Sequence, residues 1–156
     1  MQNKRGEGYI PTCVMIIILT MLLSVFVTFV SAINIVKQTK RNSRVVLDSY
    51  VMQESIKIYD SIKNGNDKTP VLDSDSYVDS LCEFCTFAEK NDMLYNYNSD
   101  GDIQFYLTKP TVGYMEDKEL KIYTSYTIYI PIYFAGIRVE TAQIPITVTS
   151  NFTQKF

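Results

Sequence analysis

The sequence predicts an α+β fold in which a long N-terminal helix, a short second helix and a C-terminal antiparallel β-sheet pack together. Three patterns lead to this prediction. Residues 10–36 carry no charge, apolar residues recur at helical spacing over 47–62, and apolar and polar residues alternate over 120–134. The first pattern is typical of a membrane-spanning helix, the second of an amphipathic helix and the third of a half-buried strand.

Composition narrows the classes of function. The 156 residues carry a formal net charge of -2, so the strong basic bias of a nucleic-acid-binding protein is absent. The chain has no histidine, which removes the commonest general base and metal ligand. Its three cysteines are too few for a four-thiolate zinc site. We therefore predict a non-enzymatic protein with no catalytic residue, metal, cofactor or small-molecule substrate, and no nucleic-acid partner.

The apolar segment, residues 9–36, follows a charged N-terminal collar, residues 1–8. At about 1.5 Å per residue it is longer than the roughly 30 Å hydrocarbon core of a bilayer. One interpretation is a cleaved secretory signal, with Lys4 and Arg5 as its basic start and the small residues at 30–32 as its cleavage site. A second interpretation is a permanent single-pass anchor, because the run exceeds the usual signal length of about 7–15 residues.

The helix is predicted to continue beyond the apolar segment. Residues 33–64 contain neither proline nor glycine. Residues 37–63 form the amphipathic continuation, with one apolar face made by Leu47, Val51, Ile58 and Ile62. A cleaved signal does not need such a continuation, and this apolar face is suited to cover a β-sheet.

Residues 64–156 form the predicted α+β head. The polar segment 64–76 contains glycine and proline and is expected to end the long helix. Ser76 precedes Asp79 by three residues, which is the spacing of a capping box. We therefore expect the second helix to run from about Tyr77 to Lys90.

A turn cluster, Asn96–Asp102, is expected to precede the first strand, which starts at Ile103. The cluster is similar to the opening of a calcium-binding loop, but Leu107 stands where that loop requires glutamate. A β-turn is therefore the favoured interpretation. The charged residues 116–119 are predicted to form the solvated tip of a hairpin.

The long alternation over 120–134 predicts a strand with two different faces. Its apolar face carries Leu120, Ile122, Tyr126, Ile128, Ile130, Ile132 and Phe134. Gly136 marks the following turn, and Ile144–Val148 form the last strand. Pro131 and Pro145 cannot donate ladder hydrogen bonds, so each indicates a sheet edge or a bulge.

Cys82 and Cys85 form a C-x-x-C motif. A redox site would place the first thiol at a helix N-terminus, where its pKa falls, but Cys82 lies well inside the predicted second helix. Small apolar residues on a helix face are the favoured interpretation, and a Cys82–Cys85 disulfide is the alternative if the head is exported.

Three tyrosines lie on the polar face of the long strand: Tyr123, Tyr129 and Tyr133. Tyrosine suits interfaces because it buries apolar area and keeps a polar tip. These residues are a candidate contact surface, or they are covered by other parts of the head.

The collar "RGEGYI", the long helix and the final segments "TSYTIYIPIYFAGIRV" and "IPITVTSNFTQKF" resemble membrane proteins of the TadE-like pseudopilin kind. More narrowly, they are similar to a family of unknown function found with Tad-type pilus genes in Gram-positive bacteria. The resemblance implies a pilin-like fold, peptidase cleavage after Gly6 or Gly8, and other apparatus subunits as partners. Pilin-type chains carry glutamate at the fifth mature position, whereas here that position is Pro11 or Cys13.

The leading functional hypothesis is a membrane-anchored pseudopilin-like subunit of a Tad-like pilus or secretion apparatus, with lipid as a further partner. The second is a single-pass membrane protein whose extracytoplasmic binding head never polymerises, and the third is a membrane-tethered thiol oxidoreductase. Charge counting places the head in the cytoplasm, because more basic residues follow the span than precede it. The resemblance implies the outside. We predict the outside, since the basic residues after the span can lie against anionic headgroups.

Overall fold

The fold is α+β, as the sequence predicts. A computed structural model describes residues 9–63, 72–116, 120–134 and 137–151. Its helices are α1 (Tyr9–Lys63) and α2 (Ser74–Cys85). Its strands are β1 (Ala88–Lys90), β2 (Met93–Tyr97), β3 (Ile103–Thr108), β4 (Thr111–Glu116), β5 (Leu120–Phe134) and β6 (Ile137–Asn151).

The six strands form one antiparallel sheet around β5. β3 and β4 share one edge of β5. β3 pairs with β5 at Tyr106↔Tyr129. β4 pairs with β5 from Thr111↔Ser125 to Glu116↔Leu120. β6 pairs along the other edge over almost the whole length of β5. β1 and β2 extend the sheet beyond β3. The predicted hairpin tip does join two paired strands, β4 and β5, although residues 117–119 lie outside the described residues.

The alternation of β5 is confirmed by its burial from Lys121 to Ile130, whereas Ile132 is half-buried and the side chains of Leu120 and Phe134 lie outside the described part of the chain. Ile122, Thr124, Tyr126, Ile128 and Ile130 are buried, and the intervening residues are half-buried on the opposite face. Strands β2, β3 and β6 add further buried side chains to the same layer: Leu94, Phe105, Leu107, Ile146 and Val148.

The two strand prolines lie where a missing donor is tolerated. Pro145 is on the edge strand β6, opposite Thr127. Pro131 is beside a register shift between Ile132 and Tyr133, and the pairing of β3 with β5 stops at Tyr129, before it reaches this proline. The edge-or-bulge prediction is confirmed for both residues, whereas Gly136 lies outside the described residues.

α1 covers the apolar face of the sheet with a stripe spaced by three and four residues. Its buried members are Thr39, Ser43, Val46, Leu47, Tyr50 and Val51. The predicted contributions of Leu47 and Val51 are confirmed. The side chains of Ile58 and Ile62 lie outside the described part of the chain. The stripe also begins earlier than predicted, with polar residues at Thr39 and Ser43.

The predicted limits of the second helix are wrong at both ends. Its N-cap is Asp73 rather than Ser76, because the Asp73 carboxylate accepts hydrogen bonds from the Asp75 amide (3.0 Å) and the Ser76 hydroxyl (2.7 Å). The C-cap of the helix is Thr86, which has a left-handed backbone conformation with a φ of 56°. This conformation allows the Phe87 amide to donate a hydrogen bond to the Cys82 carbonyl. Residues 88–90 are therefore a strand.

The prediction that the first strand starts at Ile103 is also wrong, because β1 and β2 precede it. The turn between β2 and β3 is shorter than predicted, since Asn96 and Tyr97 belong to β2. The favoured β-turn interpretation holds: the Asn98 side chain accepts hydrogen bonds from the Asp100 and Asp102 amides. Gly101 supplies the left-handed position with a φ of 86°.

Candidate functional site

The N-terminal part of α1 projects its apolar side chains into the open. Residues from Tyr9 to Phe29 are exposed apart from a half-buried Thr28, with Phe26 at 63% and Phe29 at 64%. Its most apolar window has a mean hydropathy of 2.9, and none of that window is buried. A helix this long and apolar, left uncovered by its own head, is compatible with a membrane anchor.

α1 and β5 run antiparallel, so the end of β5 returns toward the exposed part of the helix. Two hydrogen bonds fix this direction. The hydroxyl oxygens of Ser43 and Tyr126 lie 2.6 Å apart. Further along the helix, the Asp48 carboxylate accepts a hydrogen bond from the Ser150 hydroxyl at 2.5 Å, and Ser150 pairs with Ile122 of β5. As the residue number rises along α1, it falls along β5. The end of the β5–β6 hairpin therefore lies beside the membrane-compatible part of α1.

A groove of about 1260 Å³ separates these two parts of the molecule. We call it the hairpin groove and define it by Val25, Phe29 and Ile33 of α1 with Tyr133 and Val139 of the hairpin. Further apolar residues of both elements line it: Ala32, Ile35, Val36, Ile130, Ile132, Ala142 and Ile144. Its polar lining includes Lys37, Asn98, Asp102 and Gln104. The groove is thus largely apolar, and its helix side includes exposed residues of α1.

The three predicted interface tyrosines occupy three different settings. Tyr133 lines the hairpin groove and is 49% exposed. Tyr123 lies across Gly113 so closely that a Cβ built there would meet its ring at 2.7 Å. Tyr129 belongs to a stack on the sheet face opposite α1. Tyr123 and Tyr129 share the sheet face opposite α1, whereas Tyr133 lies at the groove, so their role as one contact surface stays a prediction.

The stack is a ladder of four tyrosine rings across β2, β3 and β5. Ring centroids are 6.3 Å apart for Tyr97 and Tyr95, 5.5 Å for Tyr95 and Tyr106, and 5.0 Å for Tyr106 and Tyr129. Tyr95 and Tyr97 were missing from the prediction because β2 was not recognised, and Tyr106 was not singled out although its strand was predicted. The alternation of Tyr95 and Tyr97, flanking Asn96, was the signal that could have found them.

Buried hydroxyls between α1, α2 and the sheet form a small polar cluster. Tyr126 bonds Ser43, and the Tyr77 hydroxyl donates to the Ser43 carbonyl at 3.3 Å. Burial raises the pKa of Tyr126 to about 12 and also raises the pKa of Tyr77. Both phenols are therefore neutral at physiological pH, and the cluster is suited to positioning the helix rather than to proton transfer.

The C-x-x-C cysteines lie at the C-terminal end of α2 as free, half-buried thiols. Burial raises the pKa of both, and the carboxylates of Glu89 and Asp79 raise that of Cys82 further. A raised pKa disfavours the thiolate that redox chemistry needs. The Cys82–Cys85 disulfide stays a prediction. Within the described ranges, no cluster of three or more histidine, cysteine, aspartate or glutamate residues is placed to hold a metal ion.

The candidate cleavage sites, Gly6 and Gly8, lie outside the described residues. Comparisons of the chain with protein-family models, with curated proteins and with solved structures gave no match. The helix, the groove and the head are therefore the features that bear on the function of the chain.

Proposed function

We propose that this chain is a non-enzymatic, membrane-anchored, pseudopilin-like subunit of a Tad-like pilus or secretion apparatus, with its head outside the cytoplasm. One observation carries the proposal. α1 is a single helix from Tyr9 to Lys63, exposed and apolar in its first half and buried against the sheet from about Thr39 to Val51.

This continuity gives one helix two separate functions. Its second half is part of the core of the head, so the first half is held rigidly relative to the sheet. Its first half needs an apolar environment that the head does not supply. Lipid can provide that environment before assembly, and helices of neighbouring subunits can provide it afterwards. A cleaved signal peptide has no need for such continuity.

Surface shearing of cells tests polymerisation. Cells that express the tagged chain are sheared, and the released fraction is compared with the membrane fraction. A subunit of a surface filament appears in the sheared fraction, whereas an integral membrane protein of known location, used as the control, does not. If the chain stays wholly in the membrane fraction, the proposal that it assembles into a surface filament fails.

The N-terminus of the mature chain separates the interpretations of α1. A start at Glu7 or Tyr9 supports peptidase cleavage after Gly6 or Gly8. A start at Ile33 identifies a cleaved signal and contradicts the proposal, because the exposed half of α1 would then be lost. A mature chain that still starts at Met1 would identify α1 as an anchor that no peptidase has cut.

A second candidate function is a single-pass membrane protein whose head binds a partner without polymerising. The tyrosine ladder favours it, because stacked rings on an outward sheet face present both apolar area and hydroxyl groups. Replacing Tyr106 by alanine interrupts the ladder at its centre. Loss of a partner from pull-downs, with the membrane fraction unchanged, would support this candidate over the filament subunit.

A further inference from the structure

We infer that the end of the β5–β6 hairpin docks into the lipid bilayer, so that acyl chains fill the hairpin groove. The head would then rest on the membrane surface instead of standing away from it on α1. This inference rests on the membrane anchor of the proposed function and not on polymerisation.

The depth of the groove along α1 supports a lipid occupant. About 20 helical residues cross the hydrocarbon core of a bilayer. A span that starts at Ile10, directly after the charged collar, therefore reaches about Phe29. The helix residues that line the groove run from Val25 to Lys37. The end of the groove nearest Val25 therefore lies at the depth of the bilayer leaflet that faces the head. Acyl chains are already the neighbours of α1 at that depth.

The hairpin presents apolar side chains at the same level. Ile137 is 71% exposed, Val139 is 64% exposed and Tyr133 is 49% exposed. In water such a cluster at the end of a hairpin is unfavourable, whereas in the headgroup region it buries apolar surface. Tyrosine is enriched at that boundary because its ring is apolar and its hydroxyl is polar.

A bulge turns one of these residues toward the groove. Ile132 pairs with Glu140 and Tyr133 pairs with Arg138, which leaves Val139 without an opposite residue in the register. An extra residue of this kind re-aims a side chain at the rim of a sheet. Val139 accordingly lines the groove together with Phe29 and Ile33 of the helix.

The two basic residues nearby fit the headgroup layer, and the exposed carboxylate of Glu140, next to Val139, is suited to the water at that boundary. Lys37 lines the groove, and the exposed Arg138 sits beside Val139 with its guanidinium bonded to the Thr141 hydroxyl at 2.6 Å. Both cations can approach lipid phosphates while the apolar residues face the acyl chains. Asp102 contributes one carboxylate to the lining, which is suited to solvent rather than to the acyl region.

A second copy of the chain is the competing occupant. It would have to enter between α1 and the hairpin at a depth where lipid is in contact with every exposed side of the helix. The continuity of the groove with the span favours lipid, because acyl chains reach it without any change in the surroundings of α1. Occupancy of the groove by a second copy would overturn the inference.

The chain has no tryptophan, so one introduced tryptophan reports its own environment. The test chain is full-length Val139→Trp, reconstituted in phosphatidylcholine–phosphatidylglycerol vesicles. If Val139→Trp misfolds, Ile137→Trp replaces it. Leu19→Trp is the control inside the span, because Leu19 is 67% exposed and is not among the residues that line the groove. Met115→Trp is the control at the far end of β5, where Met115 is 56% exposed and pairs with Lys121. Each chain is exposed to aqueous iodide and, separately, to lipids brominated on the acyl chain.

The expected result is that Val139→Trp loses most of its emission to brominated lipid and little to iodide, as Leu19→Trp does, while Met115→Trp shows the reverse. Iodide quenching of Val139→Trp, with Leu19→Trp still quenched by brominated lipid, overturns the inference and leaves the anchor standing. Shielding of Val139→Trp from both quenchers, with Leu19→Trp still quenched by brominated lipid, identifies protein as the occupant and overturns the inference as well. If brominated lipid fails to quench Leu19→Trp, the anchor itself is wrong and the inference fails with it.

Discussion

The hydroxyl oxygens of Ser43 and Tyr126 lie 2.6 Å apart in the buried layer between α1 and β5, although 83 residues separate them in the chain. Both groups are polar and both are enclosed, and each is a hydrogen-bond partner of the other. A shift of the helix by one residue would leave two buried hydroxyls unpaired. The pair therefore sets the register of α1 on the sheet, and with it the position of the hairpin beside the exposed part of α1.

Removing one hydroxyl of this pair should destabilise the protein. We expect Tyr126→Phe or Ser43→Ala to lower the free energy of unfolding by about 1–3 kcal/mol, because the remaining hydroxyl is left buried without its partner. The double variant should lose less than the sum of the two. Chemical denaturation of the full chain in detergent micelles, followed by circular dichroism, measures all three.

The exposed pair of Thr111 and Ser125 is the matched control, with its hydroxyls 3.1 Å apart across β4 and β5. Alanine at either position should change the unfolding free energy by less than about 0.5 kcal/mol, since water can replace the lost partner. Equal losses at both pairs would contradict the registering role of Ser43 and Tyr126.

Alkaline pH should destabilise the head. The pKa of Tyr126 is raised from 10.0 to about 12 by burial, so the folded protein keeps this proton where the unfolded chain has lost it. The associated stability is complete below pH 10 and is lost as the pH rises toward 12, by about 2–3 kcal/mol for this one group. Thermal unfolding between pH 8 and pH 12 measures the loss, and Tyr126→Phe should flatten the dependence. A Tyr126→Phe profile that matches the original chain would refute this assignment.

Cys82 and Cys85 should react slowly with iodoacetamide at pH 7.5. Burial raises the pKa of both thiols, so the thiolate fraction is smaller than in free cysteine. Their rates should rise with pH and increase on unfolding in urea. Mass spectrometry of labelled peptides gives the two rates separately. A Cys82 rate above that of free cysteine would revive the thiol oxidoreductase hypothesis.

Thr86→Gly should stabilise the protein. Thr86 ends α2 with a φ of 56°, a left-handed conformation that a β-branched residue adopts at a cost of roughly 1–2 kcal/mol. Glycine removes most of that cost. The matched control is Thr149→Gly, an exposed threonine in extended β6, which should instead destabilise the protein by about 0.5–1 kcal/mol. Changes of the same sign at both sites would contradict the account.

The sequence was sufficient to predict the elements with strong periodicity. The alternation over β5 and the apolar residues Leu47 and Val51 identified the two main surfaces of the core correctly. β1 escaped notice because Ala88–Lys90 are all exposed, so no burial pattern marks that strand. The end of α2 at Thr86 was equally hidden, since glycine rather than threonine is the usual residue in a left-handed cap.

The candidate site was harder to predict than the fold. Ser43 lies among Lys40, Arg41 and Arg44, which suggests a solvated segment, and its burial depends on a partner 83 residues away. The hairpin groove depends on the antiparallel course of α1 and β5, a tertiary relationship that no local pattern specifies. Tyr133 was identified as a contact residue for its residue type, whereas its position beside Phe29 requires the three-dimensional structure.

The most direct test of the account is the side of the membrane on which the head lies. The three native cysteines are replaced by serine, Met115→Cys is introduced at an exposed position of β4, and intact cell-wall-stripped cells are treated with a membrane-impermeant maleimide. The account predicts that Met115→Cys is labelled as fully in intact cells as after lysis, while a cytoplasmic control protein is labelled only after lysis. Labelling of Met115→Cys only after lysis would place the head in the cytoplasm and contradict the pseudopilin-like function.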